Sequence, residues 1–425
     1  MASTVTLDDA VQALFAGDPE ILANPYPTYA RLREEAPVYQ LDASSVIVSR
    51  HDLARAIYHD HDRFPNAEEP GSMGSKLRLL SPAEKDRFRE FIDFQRSFLT
   101  MMNGETHRRV RSAAQRAVSP KQLRHMHVSI EHLTDELLRP LIEAGGGDFM
   151  EFAYRLPLLV IMDMMGAPHE DADTLKRLGD AITSDIAVIS LTPEIVDECY
   201  EAMHEYTAYV QELIARHRRD PQGPTSLVGA LLDASSGDRL TEIELVGTYV
   251  VLLFAGHETT ANLLGTGLLE MLCQRDQWHL LCQDRTVTGS AVEELLRITT
   301  PAQFVFREAA TEVHLAGVDI QPGTFVLLAN GAANRDPAVF PDPDKIDITR
   351  RPNDHLGLAI GRHFCLGAPV ARLEGKIVFD TLARQIPHVQ LAADPRDIRY
   401  RKHVFLRGLE ELPITLNDGQ HAPLP

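Results

Sequence analysis

Cysteine is scarce and scattered: Cys199, Cys273, Cys282 and Cys365 are the four in 425 residues, and no two form a CxxC pair. That spacing argues against a disulfide framework and provides no ligand set for an iron–sulfur cluster. The N-terminus, Met1-Ala-Ser-Thr-Val-Thr-Leu-Asp-Asp, lacks the basic start and apolar run of a secretory signal. The longest strongly apolar stretch, residues 245–256, falls short of the roughly 18 residues that a membrane-spanning helix needs. Internal repeats, low-complexity tracts and a Gly-rich dinucleotide fingerprint after a strand are also missing. Positive charge is in deficit, with 42 Lys and Arg against 61 Asp and Glu and a net charge of −19. Such a balance opposes general nucleic-acid or anionic-membrane binding. These gaps describe a cytosolic protein without a membrane anchor, in a reducing compartment, with monomer the default state.

What is present is an ordinary globular composition, 44% hydrophobic, long enough to bury a large core around a cofactor. Residues 44–49 read as a strand, and residues 65–81 as a long polar loop. Between 120 and 218 apolar residues recur at three- and four-residue spacing, as in Leu133, Leu137, Leu138 and Leu141, which predicts helices. Gly145-Gly146-Gly147 and Asp220-Pro221-Gln222-Gly223-Pro224 break them. A long helix is expected from Thr241, where Thr-Glu-Ile-Glu forms a capping box, running past Cys273 with an apolar middle suited to the core. Short strands follow at 314–318 and 325–328, and a last helix from about Gly367 to Ala383. The fold class is mainly α with a minor β portion. Residues 1–21 read as an N-terminal extension and 22–425 as one domain.

Three local patterns carry chemistry. In Gly361-Arg362-His363-Phe364-Cys365-Leu366-Gly367 a cysteine stands before a helix, where unpaired backbone N–H groups and the positive helix end favour a thiolate. A buried structural cysteine is the alternative for any lone cysteine. In Ala255-Gly256-His257-Glu258-Thr259-Thr260, an acid–alcohol pair interrupts an apolar helix, and Gly256 removes a side chain. That suggests a small molecule meeting the helix beside a proton-delivering pair. A kinked core helix, with Thr259 bonding back one turn, accounts for it equally. Glu294-Leu-Leu-Arg297 places an acid and a base on one helix face, which alone reads as a solvated pair.

The order of the patterns adds what each lacks singly. Glu294-x-x-Arg297 precedes Arg307, then Ala333-Asn-Arg-Asp-Pro337, Phe340-Pro-Asp-Pro-Asp344 and Gly361-x-His363-x-Cys365-x-Gly367. Upstream stand Asn24-Pro-Tyr-Pro-x-x-Tyr29-x-x-Leu32-Arg33 and His107-Arg-Arg-Val-Arg111. From about residue 22 to 415 the chain resembles the cytochrome P450 superfamily, in its soluble bacterial form. The resemblance implies haem b buried between the long helix and the cysteine loop, with O2 as co-substrate. Cys365 becomes the axial thiolate. His107, Arg111, Arg307 and His363 clamp the haem propionates, as charge complementarity also suggests. Glu258 and Thr259 support oxygen activation, Ala255 and Gly256 line the oxygen groove, and Gly367 belongs to the ligand loop. Glu294 and Arg297 form a buried structural pair with Arg350.

Two positions depart from the family pattern: Leu358 and Ala359 stand where it usually has phenylalanine and glycine or a small polar residue. They put the tuning of the iron in doubt, not the ligand. Substrate contacts are expected within 65–99, 184–191, 252–255, 301–305 and 404–405. Phe254, Phe304, Val305 and Phe405 suit a small apolar organic substrate, with core packing the alternative for each. The implied activity is a monooxygenase that hydroxylates or epoxidises a natural product. A separate ferredoxin and ferredoxin reductase supply electrons, because the chain holds no redox module of its own. Arg108, Arg109, Arg111, Arg116 and Arg362 form a candidate docking patch for that partner, or else a solvated face. The alternatives in function are a peroxide-driven enzyme, a haem-binding sensor or carrier, and a catalytically inactive member.

Overall fold

The computed structural model describes residues 5–66, 77, 80–185, 191–219, 227–232 and 240–416. Most of the 65–81 loop, the Asp220–Pro224 break and part of the 184–191 stretch lie outside the described residues. The fold is mainly helical. Its helices include α1 (Leu7–Phe15), α2 (Gly104–Gln115), α3 (Pro120–Glu143), α4 (Phe149–Met165), α5 (Ala172–Ile182), α6 (Pro193–Arg219), α7 (Glu242–Cys273), α8 (Thr288–Thr299) and α9 (Ala368–Gln385).

Helix α7 is the axis of the molecule. It starts where the capping box predicts: the Thr241 side chain accepts from the Glu244 N–H, and the Thr241 N–H donates to Glu244 Oε2 at 2.8 Å. Its 32 residues span about 48 Å at a rise of about 1.5 Å per residue. Because it is apolar on nearly every side, other helices must cover it. Helices α4, α5, α6, α8 and α9 all pack on it. The resulting core takes in Trp278, Phe149, Phe379 and Tyr249, all fully buried.

The strands are β1 (Val38–Asp42), β2 (Ser45–Val48), β3 (Gly146–Asp148), β4 (Phe304–Glu308), β5 (Val313–Leu315), β6 (Val318–Ile320), β7 (Phe325–Ala329), β8 (Gln390–Leu391) and β9 (Pro413–Thr415). The main sheet runs β1-β2-β7-β4, with β2 parallel to β7 and the other pairs antiparallel. The segment 314–318, expected as one strand, is instead a turn between two. Ala316 and Gly317 both have positive φ, 47° and 86°, the geometry of a two-residue hairpin, and β5 pairs with β6 across it. The segment expected as an N-terminal extension also packs: Val11 and Leu14 of α1 are buried in a cluster with Tyr29 and Phe304. Among the described residues, no helix is long and apolar enough to cross a membrane.

Candidate active site

Cys365 sits in a loop that reverses tightly before it. Ala359 has φ 54° and Gly361 φ 75°, the left-handed region that side chains disfavour. A Cβ at Gly361 would also lie 2.8 Å from the Tyr58 carbonyl oxygen, so this position calls for glycine. The Cys365 N–H donates to the Leu358 carbonyl at 2.9 Å, and α9 begins three residues further on. Burial pushes the thiol above its ordinary value. The N–H groups of Gly367 and Ala368, with Arg111 and Arg372, pull the other way and are outweighed. The backbone N–H groups at the start of α9 thus favour a thiolate, while burial opposes it.

The sulfur faces a cavity of about 360 Å³, within the range of small-molecule and cofactor sites. His107, Arg111, Arg307 and His363 line it together, brought from α2, β4 and the short turn before the cysteine. The His107 and His363 rings lie 4.0 Å apart, and His363 Nδ1 meets Asn66 Nδ2 at 3.0 Å. Arg111 donates to the Phe364 carbonyl. Arg307 is 2% exposed and gives one hydrogen bond to the Phe306 carbonyl at 2.6 Å. Among the described residues its Nε and Nη2, and His107 Nε2, have no partner.

Burial, then repulsion among these cations, pushes His107 down to about 4 and His363 down to about 2. Burial also lowers both arginines. Buried donors without acceptors are costly, so this end of the cavity is built for anionic oxygens supplied from inside it. Two carboxylates on a planar, otherwise apolar group satisfy that demand, and the residues present fit haem.

Helix α7 presents one stripe to the cavity: Leu252, Ala255, Gly256, Thr259 and Leu263, the three- and four-residue spacing of a single face. A Cβ on Gly256 would lie 3.1 Å from Ile161 of α4, tighter than ordinary packing allows. Thr259 both lines the cavity and donates its hydroxyl to the Ala255 carbonyl at 3.0 Å. Glu258 is one position off the stripe and turns away. It pairs with Arg401, whose guanidinium lies 5.7 Å from the Tyr154 ring and 3.9 Å from Asp180. Burial pushes the Glu258 carboxyl up, and Arg401 opposes it.

Glu294 and Arg297 hold the approach to the cysteine loop. Both are fully buried, with Arg297 Nε to Glu294 Oε2 at 2.8 Å and Nη2 to Oε1 at 2.7 Å. Arg350 adds 3.1 Å contacts to both carboxylate oxygens, and Asn353 and the Asp347 N–H complete the shell. Arg297 also donates to the Asn334 and Pro343 carbonyls, tying the helix to the loop that leads to the cysteine. A pair that reads as solvated from spacing alone is thus a saturated buried network.

Comparison with known proteins agrees with this geometry. The cytochrome P450 family model matches residues 38–386. The chain belongs to the cytochrome P450 family. This P450 is 33% identical over 404 residues to the polyketide biosynthesis cytochrome P450 PksS of Bacillus subtilis, covering 93% of this chain and 96% of that protein. It is also 33% identical to 6-deoxyerythronolide B hydroxylase of Saccharopolyspora erythraea, over 92% of this chain and 96% of the other. Its structure superimposes with a TM-score of 0.83 on P450BioI in complex with an acyl carrier protein bearing hexadec-9Z-enoic acid, at 33% identity. That match covers 93% of this chain and 99% of P450BioI. The cofactor of the family is haem b, with O2 as co-substrate.

Three of the four residues expected to meet substrate in this P450 do not line the cavity. On β4 successive side chains alternate, so Val305 and Arg307 face the cavity while Phe304 and Phe306 face the other way. Phe304 packs with Phe15 and Phe405 at 5.6 and 5.8 Å, and Phe405 belongs to the same aromatic cluster. Phe254 shares the outward face of α7 with Glu258. Its ring packs tilted against Phe98, centroids 5.8 Å apart, and it lies over Gly179. The arginine patch also shrinks. Arg109 pairs with Glu244 and Arg111 turns inward, which leaves Arg108, Arg116 and Arg362 at the surface.

Asn66 falls within the expected 65–99 segment, but sequence reasoning missed other lining residues: Ile161 and Met164 on α4, and Glu374 on α9. A signal existed for the last, since Gly367, Val370, Ala371 and Glu374 fall on one helical face. Nothing local marked the others.

Proposed function

We propose that this P450 is an oxygen-dependent monooxygenase that inserts one oxygen atom from O2 into a small apolar organic molecule, by hydroxylation or epoxidation, as a tailoring step on a natural product. The observation that carries the reading is one cavity shared by the Cys365 sulfur, the unpartnered donors of Arg307 and His107, and the apolar stripe of α7. In this account Cys365 binds the haem iron, and His107, Arg111, Arg307 and His363 hold the propionates. When bound, the haem supplies oxygen activation. The chain's residues orient the reactants, keep bulk water out and move protons.

Thr259 offers a hydroxyl at the cavity wall. Ala255 and Gly256 leave room beside it for a small ligand. Val305, Leu252 and Ile161 hold an apolar substrate by burial rather than by charge. Glu258, held by Arg401 away from the cavity, works as the outer group of the relay to Thr259. Electrons come from a ferredoxin and ferredoxin reductase, which Arg108, Arg116 and Arg362 suit as a reduced docking patch. The names of two relatives, a polyketide biosynthesis P450 and 6-deoxyerythronolide B hydroxylase, support the natural-product class.

The test is reconstitution of the holoenzyme with a bacterial ferredoxin, its reductase and NAD(P)H. Candidate polyketide lactones are first screened by the shift of the Soret band. An oxygenated product with O2 consumed in step is expected, and Thr259→Ala should divert O2 to peroxide. Product formation from hydrogen peroxide alone, at the reconstituted rate, would contradict the oxygen-dependent reading. Binding without product under every electron supply would favour a sensor.

A further inference from the structure

The backbone at 63–66 is pinned to all three elements that bring the cation cluster together. Toward β4, the Glu308 N–H donates to the Pro65 carbonyl at 3.1 Å, and just beyond the strand the Ala310 N–H donates to the Arg63 carbonyl at 2.8 Å. Toward α2, the Asn66 N–H donates to Asn103 Oδ1 and Asn103 Nδ2 donates to the Asn66 carbonyl, both at 3.0 Å. Asn103 stands at the N-cap of α2, where an asparagine side chain ordinarily accepts from the first turn. It makes no such bond here and holds Asn66 instead. Toward the cysteine loop, Asn66 Nδ2 lies 3.0 Å from His363 Nδ1. Asn66 is buried and lines the cavity.

A further contact fixes which way the amide points. Asn66 Nδ2 also donates to the Thr100 carbonyl at 2.5 Å. Turning the amide over would set Oδ1 against that carbonyl, two acceptors with no hydrogen between them. Nδ2 therefore keeps one hydrogen on Thr100 and presents the other to His363 Nδ1. An amide nitrogen donates and does not accept, so Nδ1 has to offer its lone pair. Any form of the ring with a hydrogen on Nδ1 would set N–H against N–H. From this geometry we infer that Asn66 is a positioning residue for the haem, holding His363 in the tautomer whose hydrogen is on Nε2. The inference rests on the propionate role proposed for His363. In the Nε2–H tautomer the ring can donate to a carboxylate in the cavity; in the other it would meet that carboxylate with a lone pair, and two acceptors repel. Asn66 itself touches no reacting atom. It decides which ring nitrogen is the donor, as the partner of the far nitrogen generally does.

The experiment is long-range proton–nitrogen correlation spectroscopy of the histidine rings in the diamagnetic ferrous–CO holoenzyme, isotope-labelled at histidine. His363 is assigned as the ring missing from His363→Phe. Wild type should show the His363 hydrogen on Nε2 and a bare Nδ1. Asn66→Asp keeps the shape of the side chain but replaces the donor by an acceptor, and should bring a hydrogen onto Nδ1. Asn66→Leu fills a similar volume with neither, and its Nδ1 resonance should fall between those two limits. Haem transfer to excess apomyoglobin reads the consequence. Asn66→Leu should lose haem about 10-fold faster than wild type, the weakening of one hydrogen bond to a charged group.

A wild-type His363 with its hydrogen on Nδ1 overturns the inference before any Asn66 variant is made. So does Asn66→Asp with the wild-type ring pattern, since something other than Asn66 would then set the tautomer. Wild-type haem retention in Asn66→Leu with the ring pattern changed also overturns it, since the tautomer would not serve the haem. Should Asn66→Asp not accumulate as holoenzyme, Asn66→Leu decides. An Nδ1 resonance between the limits with faster haem loss supports the inference, and an unmoved resonance overturns it. Failure of the propionate reading is seen separately, as haem loss from His363→Phe no faster than from wild type.

Discussion

At the scale of single residues, two side chains sit against local physical preference. Ala359 occupies φ 54°, where a Cβ is crowded and glycine is not. Ala359→Gly should stabilise the fold by about 1 kcal/mol, less what glycine adds to the entropy of the unfolded chain. Urea unfolding checks this, and a lower midpoint for the variant would count against it. Glu374 is the second. Burial pushes its folded-state carboxyl up to about 8, above its unfolded value of 4.5. Between those limits the unfolded chain has released a proton that the folded protein retains. Stability is therefore lost as pH rises through that window, by at most about 1.4 kcal/mol per pH unit. Glu374→Gln has no such slope, so its stability relative to wild type should climb from pH 5 to pH 7. A difference independent of pH would show that Glu374 ionises freely.

At the scale of elements, periodicity decides which residues reach the site. The sequence segments 252–255 and 301–305 do border the cavity, through Leu252, Ala255, Pro301, Ala302 and Val305. Size and apolarity drew attention to Phe254, Phe304 and Phe405, but helical register turns Phe254 and strand register turns Phe304 into packing, and Phe405 joins the cluster around Phe304. The test is a pair of variants. Phe304→Ala should lower the unfolding free energy by about 3–5 kcal/mol and leave the Kd of a Soret-shifting ligand unchanged. Val305→Phe should change that Kd at little cost in stability. The opposite pattern would mean the register of β4 is misassigned.

Much of the rest was legible. The Thr241 capping box, the strand at 45–48 and the helix after Cys365 all follow from spacing and local hydrogen-bonding preference. What stayed hidden was long-range. Nothing near Glu258 announces Arg401, 143 residues away. The fully buried state of Glu294 and Arg297 likewise depends on Arg350 and on carbonyls from a distant loop, so it became legible only through the order of motifs along the whole chain.

At the scale of the whole molecule, helix α7 and the network around Glu294 fix the cysteine loop against the cation cluster. Arg297→Ala would leave the Glu294 carboxylate buried with fewer partners, and should cost about 3–5 kcal/mol. Haem retention should fall with it, and thermal unfolding followed at the Soret band measures both. Unchanged stability would mean that the network is replaceable by its remaining donors.

The central claim is that Cys365 binds haem iron as a thiolate within this cavity. The most direct measurement is the carbon monoxide difference spectrum of the dithionite-reduced holoenzyme. Thiolate ligation by Cys365 predicts a strongly red-shifted Soret band, lost in Cys365→Ala. A band at the position of histidine- or thiol-ligated haem would contradict it, and would direct attention to Leu358 and Ala359 beside the sulfur.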